Sequence, residues 1–468
     1  MPYVPDGDVV ALRVVHHGRT TSAGQWANAG GCRYTNPDGI CSVQEEDSTL
    51  STHVRPLPEL PASWAVRAGP RDTVYFDPPA VNAAIVTVGG LCPGVNNIIQ
   101  ALVRALSSYG VQNIVGIKYG LRGFYESDFP PVKLTLESVD QIHLGGGTLL
   151  GTSRGGSNVP RIVDAIQRMR LDQVYIVGGN GGNAAADTIH RECKARGYPC
   201  AVVGLPKSID NDILLIDSCF GFSTATNEAQ RAIMAASVEA RSAHFGVGLV
   251  KLMGRSSGFL AAQASVGAGV VDVCLLPEVA FELPQVLAYV FDVLQRQGHA
   301  VIVVAEGAAQ DTMRAELQAA GLVVPDEHDP SGNPLLLDVG NWLRNKLKAA
   351  SLERGMPIDL KYLSPAYMIR SVVADSGDSV YCRMLGHSAV HGAFAGYSGI
   401  TAGVCSKHYV LLPSHEVVRT TRRLDPRGRL YRMMRAALGQ PDFFNGKQTG
   451  GEPAKDVAAV TAIDPDEY

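Results

Sequence analysis

The sequence contains no run of about 18 apolar residues, although 46% of its residues are hydrophobic. A helix that crosses a bilayer needs about 20 such residues, so we expect no membrane span and no membrane partner. The N-terminus, Met-Pro-Tyr-Val-Pro-Asp-Gly-Asp, lacks the basic and then apolar regions of a secretory signal peptide. The last residues, Asp-Glu-Tyr, are not a peroxisomal address.

An excess of one charge sign is also absent, because 41 Lys and Arg face 45 Asp and Glu. Proteins that bind nucleic acids or membrane surfaces usually carry a basic excess, so no nucleic-acid partner is predicted and any anion site must be local. The nine cysteines are an odd number and include no Cys-x-x-Cys pair. This pattern favours reduced thiols in a cytoplasmic compartment.

The length of 468 residues is enough for two or three domains, at about 150 residues for each. Residues 1–80 are rich in Gly, Pro, Ser and Thr, and we expect an N-terminal extension with a few short strands. Between about 80 and 400, apolar strand and helix patterns alternate, which predicts an α/β fold with two parallel sheets. The polar tail at 444–468 is predicted to be disordered.

Two closely spaced acids follow a predicted buried strand at 201–205, in the segment 206–212, Pro-Lys-Ser-Ile-Asp-Asn-Asp. Ligands of α/β sheets bind at this end of the strands. If strand geometry continues, Asp210 and Asp212 point to the same side. Adjacent carboxylates repel unless a proton or a cation separates them, and Mg²⁺ carrying phosphate oxygens meets that need. One acid would then deprotonate a hydroxyl and the other would hold the metal; a solvated Asp-rich turn is the alternative.

Strand, glycine turn and helix follow one another three times, an order that aims backbone N–H groups at phosphate. The strands are predicted at 83–88, 173–177 and 247–253, with turns at 89–94, 178–183 and 254–258. Asn96 is a predicted helix cap in the first unit, and the second helix is predicted from 184 to about 196. A glycine-rich loop at 144–156 lets Arg154 approach an anion, for which the planar guanidinium is well suited. Ordinary structural turns are the alternative for each unit.

The second turn also matches the dinucleotide-binding pattern Gly-x-Gly-x-x-Ala, from Gly179 to Ala184. That pattern requires an acidic residue at the end of the next strand, about 20 residues further on. The next strand ends instead in Gly204-Leu205-Pro206-Lys207. A nicotinamide-dependent oxidoreductase is therefore poorly supported.

Taken together, the motifs resemble those of ATP-dependent 6-phosphofructokinases, and most of all the long plant and kinetoplastid subgroup. The resemblance covers about 83–443, with the motifs in the family's order. The segments that carry it are 89–94, 119–124, 150–155, 206–212, 251–255 and 367–370.

This resemblance implies two Rossmann-like three-layer α/β domains with the active site between them. Residues 81–221 plus about 369–443 would bind nucleotide, and residues 222–368 would bind sugar phosphate. The implied reaction is the phosphorylation of fructose 6-phosphate to fructose 1,6-bisphosphate with ATP and Mg²⁺, in glycolysis. A cytoplasmic, allosterically regulated homotetramer or homodimer is also implied.

The resemblance assigns roles to individual residues of this sequence. The catalytic group is Asp210 as general base, with Arg154 and Lys207 supplying positive charge. The ATP group is Gly89, Arg154, Gly155, Gly179, Asn180, Gly181 and Gly182. The fructose 6-phosphate group is Ser208, Ile209, Asp210, Met253, Gly254, Arg255, Glu306, Lys361, Tyr367 and Arg370. The last three fall where the family binds the 6-phosphate. The metal group is Asp212 and Asn180.

One motif departs from the family, which has Gly-Gly-Asp-Gly-Thr or Gly-Gly-Asp-Gly-Ser at the second turn. Asn180 replaces the acid and Gly182 replaces the hydroxyl residue, so the metal site loses a negative charge. Two hypotheses stay open: an active kinase with a weakened metal site, or an impaired paralogue that serves as a regulatory or binding subunit. Pyrophosphate is a remote alternative donor, since Gly181 is typical of ATP users and Lys207 occurs in both groups.

Overall fold

The computed structural model describes residues 13–15, 33–34, 64–324, 328 and 334–444. Most of the predicted N-terminal extension and, apart from residue 444, the predicted disordered tail lie outside the described residues. No helix among the described residues is long and apolar enough to cross a membrane. The seven cysteines of the described part are buried free thiols.

Strands and helices alternate through most of the described chain. The strands are β1 (Arg13–Val15), β2 (Arg33–Tyr34), β3 (Trp64–Arg67), β4 (Thr73–Val74), β5 (Asn82–Thr87), β6 (Asn113–Ile117), β7 (Val132–Lys133), β8 (Gln173–Gly178), β9 (Ala201–Pro206), β10 (Gly246–Leu252), β11 (Val273–Leu275), β12 (His299–Ala305), β13 (Asp359–Leu363), β14 (Ile400–Cys405) and β15 (His408–Pro413). The helices are α1 (Val95–Tyr109), α2 (Val159–Arg168), α3 (Asn180–Ala195), α4 (Phe222–Arg241), α5 (Phe259–Ala268), α6 (Leu283–Gln297), α7 (Gln310–Ala319), α8 (Val339–Glu353), α9 (Ala366–Arg370), α10 (Ser376–Phe394), α11 (Ser414–Val417) and α12 (Arg429–Leu438).

The first sheet has nine strands in the order β1-β3-β15-β14-β9-β8-β5-β6-β7. Its centre, β14-β9-β8-β5-β6, is parallel. β15 is antiparallel to both of its neighbours, and β7 is antiparallel to β6. The prediction of purely parallel sheets is therefore wrong for this sheet. A two-residue connection makes β15 antiparallel to β14, and β7 returns antiparallel to β6 after the longer segment 118–131.

The second sheet, β11-β12-β10-β13, is parallel throughout. Both sheets are covered by helices on both faces, which explains why their strands are continuous apolar runs. In the first sheet, α1 and α10 cover one face and α2 and α3 the other. In the second sheet, α4 and α5 cover one face and α6 and α8 the other. The predicted α/β class is confirmed.

Two local predictions are corrected by the helix starts. Asn96 is not a cap, because α1 begins at Val95 after Gly94, whose φ of 91° is accessible to glycine. The Asn96 side chain instead fixes the glycine-rich loop, accepting from the Leu149 amide (2.8 Å) and donating to the Gly145 carbonyl (3.1 Å). Helix α3 begins at Asn180 rather than at Ala184, so the predicted second turn is largely the first turn of a helix.

Candidate active site

The candidate site begins where β5, β8 and β9 end at one edge of the first sheet. Thr87 pairs with Val177, and Gly178 pairs with Pro206, so the three strands end in register. The register continues one residue further, since the Lys207 amide donates to the Gly178 carbonyl (3.0 Å). This edge therefore brings together the segments that follow the three strands, as expected for parallel strands.

The acidic segment leaves strand geometry immediately after Pro206. Asn211 has a φ of 54°, in the left-handed region, so the period of two does not extend to the acids, and that reason for pairing them was wrong. A turn holds them instead. The Ser208 hydroxyl donates to Oδ1 of Asp212 (2.5 Å) and accepts from the Asp210 amide (3.2 Å).

The carboxyl of Asp210 has the most strongly shifted pKa of this segment. Burial raises the pKa of its carboxyl well above the usual range, and the negative charges of Asp212 and Glu306 raise it further. The positive charges of Arg255 and Lys207 act in the opposite direction. Its Oδ1 is buried and has no hydrogen-bond partner among the described residues. A carboxyl oxygen in this state is available to a substrate hydroxyl.

Asp212 is joined to the first turn of α3. Nδ2 of Asn180 donates to Oδ2 of Asp212 (2.8 Å), while Oδ1 of Asn180 is buried without a partner in the described chain. Burial raises the pKa of Asp212, and the hydrogen bonds from Ser208 and Asn180 counteract part of that effect. The described residues contain no group of three or more His, Cys, Asp or Glu side chains that could hold a metal ion. Mg²⁺ often keeps its waters and uses one or two protein carboxylates, so the unpartnered amide oxygen beside Asp212 fits such an ion.

Positive groups meet at the first glycine turn. Nζ of Lys207 donates to the Gly90 carbonyl (2.7 Å), and burial lowers the pKa of this buried lysine. A Cβ built on Gly90 would lie 3.9 Å from Nη1 of Arg370 and 4.0 Å from Nη2 of Arg154. Two arginines that are more than 200 residues apart in the chain therefore approach one turn.

The glycines assigned to ATP surround this turn. Gly89 has a φ of 87° and Gly155 a φ of 72°. Gly179 precedes α3, whose N-terminal amides carry partial positive charge. A Cβ on Gly181 would have no atom within 4 Å, whereas one on Gly182 would meet Val88 at 3.7 Å. Open space therefore lies at Gly181, on the first turn of α3.

The second sheet contributes to the candidate site the two segments that follow β10 and β12. The Glu306 amide donates to the Leu252 carbonyl (2.9 Å), which continues the register of the two strands. Burial raises the pKa of Glu306, and the Arg255 guanidinium opposes this effect. Arg255 also donates to the Pro334 carbonyl. The Met253 side chain is buried in the core with α4 and α5, and Gly254 follows it with a φ of 130°.

The three residues predicted to bind the 6-phosphate are placed differently from one another. Arg370 joins the cluster, because its charge acts on Glu306 and its guanidinium approaches Gly90. Tyr367 is 76% exposed, and the Arg370 guanidinium lies 4.8 Å from the centre of its ring. Lys361 forms an ion pair with Asp359 (3.0 Å) on the edge strand β13. Within the described residues, neither Lys361 nor Tyr367 forms a hydrogen bond or ion pair with the acids of the cluster.

Arg422, which was not predicted as a site residue, holds the acidic segment through several hydrogen bonds. The Arg422 amide donates to the Asp212 carbonyl (2.8 Å). Its guanidinium donates to the carbonyls of Ile216 (2.8 Å) and Asp217 (3.0 Å), and lies 4.7 Å from the ring centre of Phe259 on α5. Arg422 lies in a stretch without strand or helix periodicity, so no sequence signal identified it.

Ser257 and Glu278, which follow strands of the second sheet, also form hydrogen bonds near the acidic segment. The Ser257 hydroxyl donates to the Asp210 carbonyl (3.0 Å). Oε1 of Glu278 accepts from the amides of Gly258 and Leu424, both at 2.8 Å. Ser257 stands in the third Gly/Arg turn, which was the available signal. Glu278 follows the apolar strand run at 271–276, and this position at a strand end was its signal, although no role was assigned to it.

Besides the small β2–β4 pair, the described residues form two large sheets. The fold and the site together define an α/β protein in which buried acids face lysine and arginine side chains across the strand ends of these two sheets. Such a site is suited to phosphoryl transfer to a hydroxyl, a reaction that depends on positioning and charge neutralisation. The sequence profile described as Phosphofructokinase matches residues 82–393. This chain belongs to the phosphofructokinase family.

Curated relatives agree with this assignment. The chain is 45% identical to "ATP-dependent 6-phosphofructokinase 5, chloroplastic" of Arabidopsis thaliana, over 94% of this chain and 76% of the relative. It is 36% identical to "ATP-dependent 6-phosphofructokinase" of Trypanosoma cruzi, over 86% of this chain and 85% of the relative. The resemblance to the plant and kinetoplastid enzymes is thereby confirmed.

Solved structures show the same fold. A pyrophosphate-dependent phosphofructokinase from Marinobacter aquaeolei superposes with a TM-score of 0.63 at 19% identity, covering 79% of this chain and 94% of that chain. Phosphofructokinase of Pichia pastoris in the T-state gives a TM-score of 0.59 at 21% identity, covering 72% of this chain and 35% of that one. At such identities the match concerns the fold and not the phosphoryl donor.

Proposed function

We propose that this protein transfers the γ-phosphoryl group of ATP to the 1-hydroxyl of fructose 6-phosphate, forming fructose 1,6-bisphosphate and ADP in glycolysis. Family membership and the ATP-dependent relatives support this function. The observation that carries it is the buried Oδ1 of Asp210, which has no partner among the described residues and lies within the fields of Arg255 and Lys207.

Asp210 acts as the general base. It accepts the proton of the 1-hydroxyl while the hydroxyl oxygen forms a bond to the γ-phosphorus and the bond to the β,γ-bridging oxygen breaks. Its raised pKa in the free protein makes the carboxyl a better proton acceptor once it is ionised, which suits a base that works near neutral pH. Ser208 and Ser257 orient the segment that carries it, through the Asp210 amide and carbonyl.

The phosphates of ATP occupy the first glycine turn and the start of α3. Arg154 and Lys207 neutralise charge that develops on the transferred group, while Gly89, Gly155 and Gly179 keep the backbone close to the phosphates. Gly181 and Gly182 keep the first turn of α3 free of side chains. Gly181 leaves the larger opening.

Asp212 and Asn180 would hold Mg²⁺, since the carboxylate lies beside an amide oxygen that has no partner among the described residues. When bound, Mg²⁺ neutralises phosphate charge and orients the donor. Asn180 itself keeps Asp212 in place whether or not the ion is bound, because its amide already donates to that carboxylate. The absence of a second acid weakens the metal site without removing it.

Fructose 6-phosphate lies between the two sheets. Its hydroxyl groups meet Glu306, Arg255 and the backbone of Ser208, Ile209, Met253 and Gly254. Its 6-phosphate meets Arg370, with Lys361 and Tyr367 closing from the exposed side. Arg370 supports this placement because its charge acts on Glu306.

We also propose the division predicted from the sequence, with nucleotide on residues 81–221 plus about 369–443 and sugar phosphate on 222–368. A homo-oligomer in a reducing compartment such as the cytoplasm completes the proposal. Tyr367 and Met368 are 76% and 71% exposed, and a second subunit would cover them. Sedimentation that gives a monomer at working concentration would exclude this arrangement.

A coupled assay of product formation tests the function. We expect turnover with fructose 6-phosphate, ATP and Mg²⁺, and none when pyrophosphate replaces ATP or when a chelator removes the metal. Turnover only with pyrophosphate would reassign the donor. Binding of fructose 6-phosphate and ATP without turnover would instead identify an impaired, regulatory paralogue.

A further inference from the structure

A polar cavity of about 370 Å³ lies between α3 and the segment that contains β14, β15 and α11. One face of α3 forms its wall, because Asp187, His190, Arg191 and Lys194 follow the i, i+3, i+4, i+7 spacing of a helix face. Ser398 and His415 line the opposite side. The volume falls within the range of about 300–1,000 Å³ typical of small-molecule sites.

The floor of the cavity has a defined hydrogen-bond pattern. The Ser398 hydroxyl accepts from the Val202 amide (3.0 Å) and donates to the Cys200 carbonyl (3.1 Å). Its one hydrogen is then used, so Nδ1 of His190, at 2.8 Å, donates to it. Gly399 holds the other side of the ring, since a Cβ there would lie 2.5 Å from Cδ2 of His190. His190 is therefore fixed with its Nδ1 in use and its other edge beside the cavity.

The cavity has positively charged donors at its rim and a buried carboxylate as an acceptor. Arg191 and Lys194 bring cations to the rim, and His190 and His415 are additional donors when protonated. Asp187, which is only 8% exposed, is the buried acceptor and pairs with Arg191 (2.9 Å). His415 lies 3.6 Å from Glu416, whose carboxylate also meets Arg419 at 3.4 Å. Cationic donors at the rim suit phosphate oxygens, and a buried carboxylate suits hydroxyl groups.

We propose that this cavity is a binding site for a small phosphomonoester that carries hydroxyl groups, and that it is distinct from the candidate active site. The cavity residues stand 7–14 positions after Asn180 on α3, roughly 10–21 Å along the helix at about 1.5 Å per residue. A bound phosphate would contact Lys194 and His415, and the hydroxyl groups would face Asp187. The proposal goes beyond phosphoryl transfer and stands whether or not the chain turns over ATP.

Isothermal titration calorimetry of the full chain with D-ribose 5-phosphate, D-ribose and inorganic phosphate tests this site. Each is titrated into the wild type, the double variant Lys194→Ala/His415→Ala, the candidate active-site variant Arg370→Ala, and the control Lys348→Ala. Lys348 is an exposed lysine on α8. Thermal melting verifies that every variant is folded.

We expect one class of D-ribose 5-phosphate sites to weaken at least tenfold in the double variant while persisting in Arg370→Ala and Lys348→Ala. Inorganic phosphate should bind the same class more weakly, and D-ribose should not bind it. Equal binding by the wild type and the double variant would overturn the proposal. So would the loss of all binding in Arg370→Ala, or the absence of binding to the wild type at millimolar concentration.

Discussion

The side-chain amide of Asn180 donates a 2.8 Å hydrogen bond to Oδ2 of Asp212. This contact joins the first turn of α3 to the acidic segment after β9. An amide at this position stabilises the neighbouring carboxylate in the absence of a cation, whereas a second carboxylate would repel it. If Asn180 and Asp212 hold Mg²⁺ as proposed, this hydrogen bond makes the geometry of the site independent of the ion.

The first prediction concerns Asn180→Asp. Two carboxylates in this position need a cation or a proton between them, so we expect tighter Mg²⁺ binding and a lower melting temperature without Mg²⁺. Melting and turnover are measured across a Mg²⁺ titration. Asn180→Ala is the matched control, because it removes the hydrogen bond without adding charge, and it should bind Mg²⁺ no better than the wild type. An unchanged Mg²⁺ dependence in Asn180→Asp would remove Asn180 from the metal site.

The second prediction concerns the general base. Asp210→Asn keeps the shape of the side chain but cannot accept the proton, so kcat should fall by about 10²–10⁴, with KM values changed only a few-fold. Steady-state kinetics of both substrates measures the effect. Asp292→Asn, which breaks an exposed ion pair with Arg296 on α6, should leave kcat unchanged. Turnover of Asp210→Asn within a few-fold of the wild type would disprove this role.

The third prediction concerns pH and stability. The Asp210 pKa is raised in the folded protein above the usual 3.8, so the unfolded chain loses this proton first as the pH rises. Asp210 then lowers the free energy of unfolding progressively above about pH 4, up to its folded pKa. Without ligands, Asp210→Asn should therefore melt at a higher temperature than the wild type near neutral pH, and the difference should shrink towards about pH 4. A constant difference across this range would contradict the raised pKa.

The fourth prediction concerns the opening at Gly181. Gly181→Ala adds a methyl group that meets no atom within 4 Å, so the helix should be unchanged or stabilised by up to about 1 kcal/mol. The methyl group occupies the proposed ATP space, and KM for ATP should rise several-fold while KM for fructose 6-phosphate stays constant. Gly267→Ala, in α5, adds a methyl 3.8 Å from Gln230 and should affect neither KM. Equal ATP kinetics in the two variants would place the donor elsewhere.

The fifth prediction concerns Arg422 as a positioning residue. Arg422→Met leaves the carbonyls of Ile216 and Asp217 without their guanidinium donor, so unfolding should cost about 1–3 kcal/mol less. Because the same segment carries Asp212, kcat should fall more than KM rises. Arg422→Lys should restore only part of both losses, since an ammonium lacks the planar fork.

Urea unfolding and steady-state kinetics measure these effects. Arg427→Met removes an ion pair of an 84% exposed arginine and should change neither quantity. A kcat for Arg422→Met equal to that of the wild type would leave Arg422 with a purely structural role.

The central strands could be predicted from the sequence, because fully buried parallel strands have continuous apolar sequences. The helices between them could be predicted from apolar residues at helical spacing. β9 was predicted at 201–205 and spans Ala201–Pro206. The alternation of strands and helices predicted the α/β class with two parallel sheets, and the family resemblance added the division into two Rossmann-like domains. The antiparallel strand β15 was not predicted, since a strand's pairing partner depends on residues distant in the chain.

Side-chain neighbours were the harder part of the site. The sequence indicated Asp210 and Asp212 by their spacing, but the conformation of Asn211 shows that a turn, not a strand, orients them. Arg422 had no local pattern, and Glu278 had only its position after a strand. Their partners are distant in the chain and come together only in the folded protein. Arg154 and Arg370 approach one turn from segments more than 200 residues apart, a proximity that spacing along the chain does not encode.

The order of strands in the first sheet has a consequence for biosynthesis. β14 and β15 lie between β9 and β3, although they are made last among the strands of that sheet, and the Arg422 that follows them reaches Asp212. Domains form as the nascent chain leaves the ribosome, and the proposed general base Asp210 is made about 200 residues before Arg422. The acidic segment can therefore take its final hydrogen-bond pattern only after residue 422 has been made.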